Sequence, residues 1–290
     1  MNVRNLFLAT LLLPISVFAA DELGGDSPWF VHVNLAAMRD ASDDGALYGW
    51  VEREIIEDLE EEFGEGRVSG IEQVSVFGTA DGDGVGILMA GSFDEETRQD
   101  VIRRFAAEPL DGAAEGAYEA GADADIADEI DIDMDEGSLL LAFDDAGGLF
   151  ITSRRALLDR FQSGARFAPA TAAELLIVRA DSLVSGGLDA ETLSKGPIQW
   201  DSKMMRSIRR AGFALSDRDG GYDVSLELVA TDEPQAQALL NVVQGLIGLQ
   251  ALASEQPELG LLQTARTERD AERVSVTLQV SSDELMQLID

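Results

Sequence analysis

Apolar residues recur along this chain with two periods, and the change from one period to the other runs in the same order twice. The first half opens with "WFVHVN", Trp29 to Asn34, an apolar run of strand length. From about Gly45 to Phe63 the period lengthens: Leu47, Val51, Ile55, Leu59 and Phe63 stand four apart and line one side of a predicted helix. Then comes "QVSVFGTADGDGVGILMAG", two apolar runs around the polar, glycine-rich Asp81 to Gly84, which is the pattern of a hairpin. A helix opened by Asp94, a second hairpin turning at Asp144 to Gly148 and a short helix, "RRALLDRF", complete this half.

The second half repeats the order. Its strand is "ELLIVRA", Glu174 to Ala180, and its first helix is expected from about Asp201 to Arg210. A hairpin turns at Asp217 to Gly220, a helix opens at Thr231 to Pro234, and a further hairpin turns near Arg269 to Glu272. The closing helix is "SDELMQLI", with Ser281 and Glu284 spaced as a capping box. Both first hairpins turn on Asp-x-Asp-Gly, and both following helices open with Asp-Glu. Aligning Ser153 with Ser281 sets Leu157 on Leu285 and Phe161 on Ile289. The expectation is an α+β protein of two similar lobes from an internal duplication, 20–163 and 174–290. Each lobe would be an antiparallel sheet with helices on one face, and small residues with Pro169 make 164–173 the linker.

Residues 1–19 add a location. Arg4 precedes an apolar run from Leu6 to Phe18, and Val17 and Ala19 are the small residues of a cleavage site. That is the pattern of a secretory signal peptide, with a mature start at Ala20 or Asp21 and a periplasmic or extracellular destination. The run is short and interrupted by Pro14, so no membrane span is expected after cleavage. With no cysteine, stability must come from a core without disulfides, for which 46% hydrophobic residues suffice.

Charge narrows the partners. Fifty-five acidic residues against 21 basic ones give a formal net charge of −34, which repels nucleic acid and anionic lipid. The same charge suits a cationic partner, divalent ions, or a medium salty enough to screen it.

Candidate chemistry is sparse. His32 is the sole histidine, flanked by Val31 and Val33, and reads as a structural or surface residue because a catalytic histidine needs an orienting partner. Gly82, Gly84 and Gly86 are spaced like part of a nucleotide fingerprint but fall inside a hairpin, not at a strand-to-helix turn. In "DEIDIDMDEG", Asp131, Asp133 and Asp135 alternate with Ile132 and Met134, so on a strand the carboxylates face one way at intervals of about 6.6 Å. They match the first three ligands of a calcium loop, but Glu136 stands where that loop needs glycine and Ala142 where it needs glutamate. The preferred reading is a solvated strand face, with weak calcium binding as the alternative. Any other cofactor is unexpected.

Two stretches suggest interaction. Seven acidic residues lie between Glu52 and Glu62 beside Arg53, whereas the corresponding helix of the second half carries Lys203, Arg206, Arg209 and Arg210. Lys203, Arg206 and Arg210 are spaced to share one helix face, a docking point for an acidic partner or for a second copy. Ala236 to Ala253 is uncharged over eighteen residues, with Gln237, Asn241, Gln244 and Gly248 as a neutral polar stripe on a helix expected to pack on the sheet. The sequence therefore points to an exported, soluble, acidic protein that acts by binding an unknown protein partner or itself. Its alternatives are a carboxylate-dependent hydrolase with a site between the lobes and a divalent-cation-binding envelope component.

Overall fold

Short polar side chains set the junctions between strands and helices. Asn34 ends the strand Trp29–Asn34 (β1), and its Oδ1 accepts the amide of Ala37 at 2.9 Å, opening the helix Leu35–Arg39 (α1). The computed structural model describes residues 23–41, 45–56, 70–79, 84–121, 138–145, 147–195, 205–253 and 264–289. They fall into two units, Tyr48–Ala170 with the described residues up to Arg39, and Thr171–Asp290 with Asp40–Leu47. The helix Ala46–Val51 (α2) continues into a π-helical turn, Glu52–Ile56. The rest of the predicted acidic helix lies outside the described residues, as does the stretch holding Asp131, Asp133 and Asp135.

In the first unit the predicted hairpin forms from Ile71–Gly78 (β2) and Val85–Gly91 (β3), closed by Thr79, whose amide and hydroxyl both donate to the Gly84 carbonyl. Asp94 caps the helix Glu95–Arg104 (α3), accepting from the Thr97 amide at 2.8 Å. Short strands Glu108–Pro109 (β4) and Ala117–Glu119 (β5) precede the second hairpin, Leu140–Phe143 (β6) and Leu149–Thr152 (β7). The helix Arg155–Gln162 (α4) follows. Strand order is β1-β2-β3-β7-β6-β5-β4. The core is a run of rings: Phe167 lies 5.3 Å from Phe77, Phe77 6.2 Å from Phe150, and Phe150 5.1 Å from Phe161. Such pairs add about 1 kcal/mol each beyond the area they bury. Phe167 belongs to the small-residue stretch 164–173 and, half-buried, its ring packs against Phe77. Gly86 is explained by the same packing, since a Cβ there would sit 2.4 Å from Cζ of Phe77, its cross-strand partner.

The second unit starts differently from expectation. A short helix, Ala170–Ala173 (α5), leads into residues that form no strand, and the strand is the next segment, Ser182–Asp189 (β8). Asp189 then caps the helix Ala190–Lys195 (α6), accepting from the Thr192 amide at 2.8 Å. Of the apolar residues in "ELLIVRA" only Leu175 is fully buried, and Leu176 is 61% exposed. Leu175 is buried against Gly212, where a Cβ would lie 2.4 Å from Leu175 Cδ1, and the next amide, Leu176, donates to the Glu227 side chain at 3.1 Å.

Of the helix predicted over Asp201–Arg210, the described part begins at Met205 and is not an α-helix. Met205–Ser207 is a single 3-10 turn, and Ile208–Arg218 (β9) is a strand bonded on both sides, to β8 and to Gly221–Ala230 (β10). Two-sided pairing sets the conformation from Ile208 onward, and the strand continues through Gly212 and Phe213, residues of weak helical preference. The helix Glu233–Ala253 (α7), the hairpin Arg266–Asp270 (β11) with Arg273–Val280 (β12), and the helix Ser282–Ile289 (α8) stand where expected. The capping box forms, with Glu284 Oε2 accepting from the Ser281 amide and hydroxyl, each at 2.8 Å. Strand order is β8-β9-β10-β12-β11. In the closing helices Leu158 and Phe161 of α4 and Leu285 of α8 are buried. The chain is thus a mixed α and β protein whose strand pairings within each unit are antiparallel.

Candidate interaction surface

Asp232 opens α7 by accepting the Gln235 amide at 2.8 Å, and Pro234 occupies the first turn, where its missing N–H costs nothing. Ala236 and Leu239 are buried with Ile208, Ala211, Ala230 and Val274, so the N-terminal half of the helix rests on β9, β10 and β12. Beyond Leu240 the contact thins, and Val243 and Ile247 are half-buried. On the adjoining face Val242 is 39% exposed, Leu246 56% and Leu249 65%. These three stand at i, i+4 and i+7, one ridge along the helix.

The polar stripe expected on this helix is exposed too, and it is satisfied internally. Gln237 Nε2 donates to Asn241 Oδ1 at 2.9 Å, and Gln244 Nε2 donates to Thr267 Oγ1 on β11 at 3.0 Å. The stripe leans toward β11 and leaves the leucine ridge uncovered. Sequence reasoning named the stripe and missed the ridge. The available signal was width: Leu239, Leu240, Val242, Val243, Leu246, Ile247 and Leu249 span more of the helix circumference than one sheet can cover.

The cations singled out from the sequence sit elsewhere. Lys203 lies outside the described residues, Arg206 is exposed on the 3-10 turn, and Arg210 is on β9, so Arg206 and Arg210 share no helix face. Pairing jumps from Val229–Arg210 to Ala230–Ile208, which leaves Arg209 as the extra residue of a bulge. Arg209 Nε and Arg210 Nε accordingly both reach Glu174 Oε2, at 3.5 and 3.8 Å, while Arg209 also meets Glu272 at 3.6 Å and Arg210 meets Asp189 at 3.6 Å. Arg273 donates to the Glu174 carbonyl and, at 3.1 Å, to Glu227 Oε1, a carboxylate only 1% exposed. Three arginines are engaged in holding the 174–181 segment to the sheet.

His32 is a packing residue of β1. Its Nδ1 lies 2.8 Å from Ser75 Oγ across the strand pair, its ring stacks on Phe167 at 6.4 Å, and burial lowers its pKa. An open depression of about 350 Å³ is lined by Glu115, Phe143, Asp144, Asp145, Phe161 and Gln162. Asp144 is committed there to its own turn, accepting from the Gly148 amide at 2.7 Å. Among the described residues no group of three or more histidine or acidic side chains is arranged for a metal, and no helix is long and apolar enough to cross a membrane.

This is an antiparallel α and β fold that exposes an apolar ridge on α7. Solved structures of a protein named TP0453 are similar to it. Crystal form III superposes with a TM-score of 0.54 at 12% identity, covering 94% of this chain and 98% of that one. Crystal form IV gives 0.54 at 13% identity over 93% and 97%, and crystal form I gives 0.50 at 11% over 94% and 98%. At such identity the likeness concerns the fold alone. No protein-family model matches the chain, and no curated protein matches it.

Proposed function

We propose that this chain is an exported, soluble acidic protein that acts by binding, with the outer face of α7 as its contact surface. The observation that carries the reading is the ridge of Val242, Leu246 and Leu249, the last 65% exposed, on a helix without charge from Pro234 to Ala253. An apolar ridge held in water on a −34 chain is the kind of surface that marks a partner site. Export rests on the signal pattern of residues 1–19. A photo-crosslinking side chain at position 249, compared with one at Glu95, tests the contact in the native host. Adducts at 249 and none at 95 are expected; equal labelling at both positions would remove α7 as the surface. Mass spectrometry of the native protein should find Ala20 or Asp21 at its start, and an intact Met1 would contradict export.

The reading includes an internal duplication. Two observations support it: strand orders β1-β2-β3-β7-β6 and β8-β9-β10-β12-β11 correspond term by term, and Asn34 and Asp189 cap the helices after β1 and β8 alike.

A further inference from the structure

We infer that the occupant of the α7 face is α7 of a second copy of this chain, an inference that rests on the binding reading above. The first ground is shape. Beside the ridge of Val242, Leu246 and Leu249 the helix carries Gly245 and Gly248, both exposed, and a Cβ at either would meet nothing within 4 Å. Glycine inside a helix is unfavourable against alanine by about 1 kcal/mol, and among the described residues no contact asks for it. With Ala238, these glycines leave the strip beside the ridge without large side chains, a shallow groove parallel to it. A helix bearing a ridge next to a groove is complementary to itself: about a two-fold axis, the ridge of each copy enters the groove of the other.

Charge is the second ground, and it decides between partners. A cationic partner would be drawn to the carboxylates that cover this −34 chain, not to a face without any. Another copy meets repulsion at those carboxylates and escapes local repulsion at this face, which lacks charge from Pro234 to Ala253. Contact and charge thus act in opposite directions, and salt separates them. The apolar contact persists in salt, whereas the repulsion is screened, its range falling from about 30 Å at 0.01 M to about 3 Å at 1 M. Self-association must therefore tighten with salt, the reverse of an interface held by ion pairs. One helix pair is a small contact, so the dimer belongs among weak and transient ones.

Sedimentation velocity of the mature chain, over a range of concentration and sodium chloride, reads this directly. We expect monomer at low salt and a reversible dimer at high salt, tightening at least about tenfold across the series. Two variants identify the face. Leu246→Gln with Leu249→Gln removes the ridge without adding charge and should abolish the dimer at an unchanged fold, read by circular dichroism. Gly245→Leu fills the groove at a position where an added Cβ meets nothing within 4 Å. It should keep or raise the melting temperature and abolish the dimer, whereas a merely sticky surface would associate more strongly. Monomer at every salt concentration, or a Gly245→Leu chain that associates as well as the parent, overturns the second copy as occupant. The crosslinker at position 249 separates this failure from failure of the binding reading. An adduct with a different protein, from a chain that stays monomeric when pure, leaves binding and removes self-association; no adduct at all removes both.

Discussion

Nη1 of Arg273, at the start of β12, lies 3.1 Å from Oε1 of Glu227 on β10, and the glutamate is 1% exposed. On β10 the usual alternation is inverted there: Leu226 is 41% exposed while Glu227 is inside. The carboxylate is buried because the irregular segment after α5 needs an acceptor for the Leu176 amide, and Arg273 neutralises it. Removing one partner of such a pair costs about 3–5 kcal/mol, because the other charge stays buried alone. Arg273→Met should therefore lower the unfolding free energy by about that much, measured by urea denaturation. Adding Glu227→Leu to Arg273→Met should recover part of the loss, and an additive double variant would show the two side chains to be uncoupled.

Gly86→Ala tests the aromatic core of the first unit. The added methyl would sit 2.4 Å from Phe77 Cζ, and Phe77 is itself packed between Phe150 and Phe167. Overpacking of this kind costs about 1–3 kcal/mol. A lowered melting temperature is expected, with Gly245→Ala as the control that raises it or leaves it unchanged.

His32 gives a pH dependence with a defined sign. Burial lowers its pKa from the ordinary 6.5, so the folded chain holds the neutral ring while the unfolded chain takes up the proton more readily. Its contribution to stability is whole above pH 6.5 and declines as the pH falls below that value toward the depressed one. Denaturation of the parent and of His32→Gln between neutral and mildly acid pH should show the parent losing more stability on acidification. Parallel curves would mean that the imidazole titrates freely.

The charge of −34 should destabilise the fold at low ionic strength. Melting temperature is expected to rise with sodium chloride as repulsion is screened. Calcium chloride matched in ionic strength should add a further rise if Asp131, Asp133 and Asp135 act together as weak ligands. Asp131→Asn with Asp133→Asn would then remove the extra rise and keep the response to sodium chloride.

Local chemistry decided much of the architecture and was legible in the residues. Asp94, Asp232 and Ser281 open their helices because the capping acceptor and the amide it satisfies lie within three residues of each other. Hairpins at Asp144 to Gly148, Asp217 to Gly220 and Arg269 to Glu272 follow from turn residues between apolar runs, again within a few positions. Tertiary structure alone decided the rest, because it depends on partners distant in sequence. "SLVSGGLD" is a strand because β9 offers it a pairing edge, although its glycines argue against one. "ELLIVRA" is not a strand because a glutamate about fifty residues away, Glu227, takes the Leu176 amide. The cations after Lys203 divide between a 3-10 turn and a bulged strand because β10 pairs with β9 through Arg210. On α7 the sequence determined the helix, its N-terminal cap and its lack of charge. Which of its apolar residues stay in water was decided by how little of the helix the sheet beneath it can cover.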